Sequence, residues 1–154
     1  MKEDLFAYID AINGQLTKAA SNIWQNPEKA LEEVYACDLQ IAMLEKAGFK
    51  INRNIPGMST AFVAEFGQGS PVLGVLGEYD ALPGLSQQVS GSYNPIKEQE
   101  NGHGCGHNLL GVAGIGAVLA IRELLEQDGF NGTVRYYGCP AEETLTGKVI
   151  MAKE

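Results

Sequence analysis

The sequence predicts an α/β fold in which a mixed, mostly parallel sheet carries helices on both faces. Three observations lead there. Two stretches with helical apolar spacing open the chain. Two apolar runs of strand length follow, at 60–66 and 72–77. A long apolar helical stretch, 108–127, then separates the second run from another strand at 133–137. A strand, a crossover helix and a strand imply a parallel pair, and helices must cover the sheet for its apolar faces to leave water.

Each element has a local reason. Leu5, Ile9, Ile12, Leu16, Ala19 and Ile23 form one stripe, so residues 4–23 are expected as an amphipathic helix. Asn26-Pro27 reads as an N-cap with proline at the first helical position. The stripe Ala30, Leu31, Val34, Cys37, Ile41 and Leu44 continues from it, and Gly48 stops the second helix. Residues 49–56 are expected as a connector. Thr60–Phe66 is a short strand closed by Gly67-Gln68-Gly69-Ser70-Pro71. Val72–Gly77 is nearly all apolar and reads as a strand buried on both faces. Residues 84–104 show no useful periodicity and form a long loop of the kind that borders function. The helix over 108–127 ends near Gly129. Its Gly111, Gly114 and Gly116 each cost roughly 1 kcal/mol relative to alanine, which close approach to a sheet would offset. Residues 144–153 read as the opening of another helix.

The 154 residues suit one domain with a real core, at 45% hydrophobic and 19% charged residues. The net charge of −8, from 19 acidic and 11 basic residues, argues against a nucleic-acid partner. No membrane partner is expected either, since the most apolar run, Leu109 to Ile121, is short and holds three glycines. Three widely spaced cysteines, Cys37, Cys105 and Cys139, suggest a reducing compartment, and the first residues lack a secretory core, so a cytoplasmic protein is expected. Cys37 and Cys139 read as buried and inert.

Chemistry concentrates at three places. Asn101-Gly102-His103-Gly104-Cys105-Gly106-His107-Asn108 holds both histidines of the chain and a cysteine on a glycine turn that opens a helix. Such a turn can hold a transition metal such as zinc, and a helix N-terminus favours a thiolate. By spacing alone, a glycine cap is an equal alternative. Glu78 and Asp80 follow one strand, and Glu142 and Glu143 follow another. Taken singly, Asp80 could make an Asx turn and the glutamate pair could favour a helix N-terminus. In open α/β sheets, however, ligands bind beyond the carboxyl ends of strands, and all three clusters reach that edge. One carboxylate of an adjacent pair can bind a metal while the other addresses a water or substrate.

Together these residues resemble the M20 family of metallopeptidases and amidohydrolases, in its aminoacylase and aminobenzoyl-glutamate hydrolase branch. Gly102–Asn108 is similar to the family's His-x-Cys-Gly-His motif, Pro140-Ala141-Glu142-Glu143 to its Pro-Ala-Glu-Glu, and Glu78–Pro83 to its segment ending Asp-Ala-Leu-Pro. Trp24–Glu28 resembles an early helix motif. The resemblance implies a zinc-peptidase-like catalytic domain with zinc or manganese, as one or two divalent ions. Cys105, His107 and Glu143 would be metal ligands. Glu142 would be the general base that activates a water on the metal, and Asp80 would orient a ligand. Glu78 stands where other branches carry a metal-binding histidine, so no role is assigned to it, and His103 would at most support the ligands. The expected reaction is hydrolysis of an amide bond in an N-acyl amino acid, aminobenzoyl-glutamate or small dipeptide. The resemblance also implies further metal-binding histidines and a small dimerisation or lid domain, which these residues lack. Residues 1–154 are therefore expected to be the N-terminal part of a catalytic domain whose full-length form can be a homodimer. The alternative is a truncated, inactive remnant that binds metal or a partner.

Overall fold

The computed structural model describes residues 2–127 and 131–153. In chain order the elements are α1 (Lys2–Gln25), α2 (Val34–Lys46), β1 (Lys50–Asn52), β2 (Phe62–Gln68), β3 (Val72–Gly77), α3 (His107–Gln127), β4 (Gly132–Gly138) and α4 (Gly147–Met151). The helix stop expected at Gly129 lies outside the described residues.

The sheet order is β1-β2-β4-β3. The β3–α3–β4 crossover gives the expected parallel pair, with Gly77 opposite Gly138. The other pairings, β1 with β2 and β2 with β4, are antiparallel. The sheet is mixed, as expected, but the parallel pair is its minority. The reason lies in β1: a connector was expected at 49–56, and Lys50–Asn52 instead pairs with Asn52 against Val63 and Lys50 against Glu65. A strand of three residues is too short to show a period of two.

One face of the sheet meets all three long helices. Phe62, Ala64, Val134 and Tyr136 pack with Ile23, Cys37, Ile41, Leu44, Val112, Ile115 and Val118 in a single core. On the opposite face, the described residues supply only α4, whose Met151 lies beside Tyr137 and Leu76. β3 is consequently an edge strand and not the doubly buried one expected: Val72, Leu73 and Leu76 are each about half exposed, at 49%, 50% and 52%. An apolar run is the same whether both of its sides are covered or one is left open, so the pattern alone could not separate these cases.

The N-terminal half departs from expectation at one point that matters later. α2 begins at Val34, and Asn26 is no N-cap; its amide donates instead to the Asn22 carbonyl at 2.8 Å and closes α1. The cap is supplied by Glu28, whose carboxylate oxygens accept the N–H groups of Tyr35 at 2.9 Å and Ala36 at 3.0 Å. A carboxylate at a helix N-terminus satisfies orphan donors and favours the dipole. Residues 26–33 are thereby freed to run as a connector behind the sheet edge. At its other end α2 stops as expected, with Gly48 at φ 85°.

α3 is long and apolar enough to cross a membrane, yet half of its most apolar stretch is buried against protein. Its glycines explain how closely it sits. A Cβ at Gly111 would lie 2.5 Å from the Glu78 carbonyl oxygen, and one at Gly114 would lie 2.9 Å from the Tyr136 ring. Gly116 instead faces Leu16 of α1 at 3.0 Å. Gly111→Ala should therefore destabilise the protein by about 1–3 kcal/mol through overpacking, although alanine is the better helix former. Urea unfolding measures this, and an unchanged or increased stability would refute the close-approach account.

Candidate metal centre

Parallel pairing sends the segments after β3 and β4 off the same edge of the sheet. α3 runs back between these strands in sequence, and its first residue, His107, arrives at that edge. Gly106 allows the approach, with φ 79°, and its carbonyl accepts the Leu109 and Leu110 N–H groups. After β3, Tyr79 is wholly buried and its hydroxyl donates to the Thr60 carbonyl at 2.5 Å. The acids on either side of Tyr79 both meet His107.

His107 is only 3% exposed and lies among carboxylates. Its Nδ1 lies 3.1 Å from Asp80 Oδ1 and 3.0 Å from the Asp80 carbonyl. Its Nε2 lies 3.1 Å from Glu78 and 3.6 Å from Glu142. The Asp80 bond raises the imidazole pKa, burial opposes it, and the result is above the ordinary value. Burial pushes the Asp80 carboxyl upward, but the His107 ring and the Glu143 N–H, which Asp80 Oδ2 accepts at 2.9 Å, together hold it below the ordinary value. Asp80 thus joins the end of β3, the start of α3 and the turn after β4.

These shifts fix the sign of a pH effect on the metal-free chain. A depressed carboxyl contributes stability that is present above its unfolded value of 3.8 and is lost as pH falls through the lower folded value. A raised imidazole contributes stability that is present below 6.5 and is lost as pH rises through its higher folded value. The Asp80–His107 pair should therefore stabilise most between those unperturbed values, and Asp80→Asn should flatten the profile. Urea unfolding across pH checks this; equal flatness in wild type would overturn it.

Two groups of donor atoms each lie within 4.8 Å of one another: Cys105 with His107 and Glu143, and Glu78 with His107 and Glu142. His107 is common to both: Glu78 and Glu142 approach its Nε2, while Glu143 Oε1 lies 4.0 Å from its Nδ1. Glu78 is already paired with the Lys148 ammonium. In the other group, Glu143 Oε1 is buried and makes no hydrogen bond. An orphaned carboxylate oxygen beside a thiol and an imidazole is a mixed soft and hard donor set that suits zinc and accommodates manganese less well.

The thiol differs from expectation. Cys105 is exposed, and both the desolvation it feels and the charges of Glu143, Glu142 and Glu78 raise its pKa. The helix start does not outweigh these carboxylates, so a cation must supply what would hold the thiolate. His103 belongs to neither group. It borders a cavity with Trp24, Pro27 and Leu85, and burial lowers its pKa to about 4, with a small opposing effect from the nearby Ile23 carbonyl. Neither of its ring nitrogens is in hydrogen-bonding geometry. Cys37 and Cys139 are buried, and desolvation pushes them up to about 12 and about 11, which makes them unreactive as expected.

Two residues that sequence reasoning passed over hold this edge from behind. The Glu28 carbonyl accepts the Ala81 N–H at 2.7 Å, next to Asp80. Glu33 is wholly buried and accepts the Ala141 N–H at 2.8 Å, next to Glu142. The signal for Glu33 was present: it precedes Cys37, Ile41 and Leu44 at helical spacing, a carboxylate on an apolar stripe.

Comparison with known proteins identifies the family. The chain is 47% identical to one of the subunits of p-aminobenzoyl-glutamate hydrolase from Escherichia coli K12, over 99% of this chain and 33% of that protein. It is 27% identical to hippurate hydrolase of Campylobacter jejuni, over 93% and 36%, and 32% identical to mouse Xaa-Arg dipeptidase, over 92% and 32%. The chain spans about a third of the length of these curated relatives. A dinuclear metal-binding peptidase of Bacillus subtilis shares the fold, with a TM-score of 0.78 at 24% identity, covering 94% of this chain and 39% of that one. An aminobenzoyl-glutamate utilization protein of Klebsiella pneumoniae aligns with a TM-score of 0.66 at 16% identity, covering 97% and 42%. Residues 74–154, which contain all three clusters, match the model of peptidase family M20/M25/M40. The chain belongs to that family.

Proposed function

We propose that these residues form the metal-binding part of an amide hydrolase, with Cys105, His107 and Glu143 as ligands and Glu142 as general base. The observation that carries this is the mutual approach of the three donor atoms to within 4.8 Å, with a buried Glu143 oxygen that makes no hydrogen bond. A divalent cation bound there would act as a Lewis acid, polarising the scissile carbonyl and lowering the pKa of water. The remaining work falls to the chain. Asp80 hydrogen-bonds His107 at Nδ1 and fixes the orientation of its ring. Glu142, with its side chain 29% exposed, faces the open side, where it can take a proton from water and return it to the leaving amine. Glu143, clamped through its N–H by Asp80, keeps the adjacent carboxylate in place.

For the substrate, the 47% identical relative supports aminobenzoyl-glutamate, and the two others support amides formed on an amino acid more broadly. Zinc or manganese is the proposed metal, as one or two divalent ions. We read residues 1–154 as the N-terminal part of a catalytic domain. Since the E. coli relative is named as one subunit of a hydrolase, a second polypeptide is the proposed partner.

The test is metal analysis of the purified protein together with release of aminobenzoate from aminobenzoyl-glutamate, with and without a chelator. Chelator-sensitive release that zinc or manganese restores supports the reading. Bound metal without turnover favours the inactive, partner-requiring alternative, and absence of both sinks the proposal.

A further inference from the structure

Glu33 takes no part in the proposed chemistry, yet its carboxylate reaches both acidic clusters from inside the core. Oε1 accepts the Ala141 N–H at 2.8 Å and Oε2 accepts the Thr60 hydroxyl at 2.9 Å. Ala141 directly precedes Glu142 and has φ 56°, a left-handed conformation that a residue with a Cβ keeps only where its surroundings impose it. On its other side the Ala141 carbonyl accepts the Thr144 hydroxyl at 3.1 Å and the Thr146 N–H at 3.2 Å. Through Thr60 the same carboxylate reaches the end of β3, because the Thr60 carbonyl accepts the Tyr79 hydroxyl and Tyr79 lies between Glu78 and Asp80.

Glu33 is 0% exposed, and the desolvation of its carboxylate is offset by the two donors it accepts from. Burial raises its pKa despite the bonds from Ala141 and Thr60. What the carboxylate adds is a fixed acceptor for one peptide N–H, at the residue from which the glutamate pair departs.

We propose that Glu33 is a positioning residue, whose carboxylate fixes the left-handed Ala141 peptide and thereby holds Glu143 at ligand distance from Cys105 and His107. This rests on reading those three residues as a metal site, so the test separates the two ideas. Purified protein is titrated with Co²⁺ alone while thiolate-to-cobalt absorption is followed, and circular dichroism and the thermal midpoint are recorded on the same samples. Wild type should show the band and Cys105→Ser should not. A band that is absent, or that survives Cys105→Ser, overturns the metal site and this proposal with it.

Given that band, and with Glu33→Gln binding nearly as wild type because its amide oxygen still accepts the Ala141 N–H, Glu33→Met should weaken Co²⁺ binding by about 10- to 100-fold, the usual effect of losing a group that orients a ligand. Its circular dichroism should stay native at the titration temperature. Thr60→Val, which spares the Ala141 bond, should lower the thermal midpoint but leave Co²⁺ affinity unchanged. Where Glu33→Met fails to fold, the pair Glu33→Met/Ala141→Gly, with a glycine that tolerates the left-handed backbone, carries the same comparison against Ala141→Gly alone. Wild-type affinity and spectrum in Glu33→Met, or an equal loss of affinity in Thr60→Val, would overturn the positioning role while leaving the metal site intact.

Discussion

His107→Ala is expected to abolish metal binding and to destabilise even the metal-free chain by about 3–5 kcal/mol, the range for removing one partner of a buried ion pair. The ring is 3% exposed and the Asp80 side chain 0% exposed, so water cannot replace what is lost. Alanine would leave the Asp80 carboxylate with the Glu143 N–H as its partner. It would also open a cavity beneath Glu78 and Glu142, whose negative charges would then face each other without the ring between them. Urea unfolding with chelator present measures the stability change, and metal analysis measures the binding. Asp80→Asn/His107→Ala should recover part of the loss, because no unpaired carboxylate then remains buried. A single-variant loss within experimental error of zero would show that His107 does not anchor this edge.

That His107 would matter could be read from the chain before any coordinates. Both histidines lie on one glycine-rich turn, and the carboxylates that surround His107 follow two strands whose parallel pairing a crossover helix dictates. Spacing and topology are sequence-local properties, so this half of the edge was legible. The support from residues 26–33 was not. Asn26-Pro27 carries a strong helix-start signal, but the actual cap comes from Glu28, seven residues before the first N–H it accepts. No local rule reports a contact of that kind, nor one that spans 108 residues from Glu33 to Ala141. The openness of β3 was hidden for a similar reason. Whether Leu73 and Leu76 are covered depends on what lies beside the strand, and their own residue types are the same in either case. The Cys105 thiol shows the limit of reading charge from sequence. The helix start was visible, while the carboxylates that outweigh it gather only when β3, α3 and β4 meet.

The adjacent glutamates invite the sharpest test, since they are chemically identical and their proposed roles are not. Glu142→Gln is expected to lower the rate of amide hydrolysis by about 10²- to 10⁴-fold, the contribution of a positioned general base, while the bound metal stays. The reasoning follows from where each carboxylate sits. Glu143 is fixed by the Asp80 bond to its N–H, and its buried Oε1 makes no hydrogen bond and lies 4.0 Å from His107 Nδ1. Glu142 lies 3.6 Å from His107 Nε2 on the more exposed side. An amide has nearly the shape of the carboxylate but cannot accept a proton at neutral pH, so the loss should fall on kcat with KM little changed. Glu143→Gln should behave differently and lose metal and activity together. The opposite pattern, with metal lost in Glu142→Gln and kept in Glu143→Gln, would mean that the ion sits with Glu78, His107 and Glu142 instead. In that case the Lys148 ammonium would have to leave Glu78, and Lys148→Met should then tighten metal binding. His107 belongs to both groups, so it is the two glutamate variants that tell which of them holds the ion.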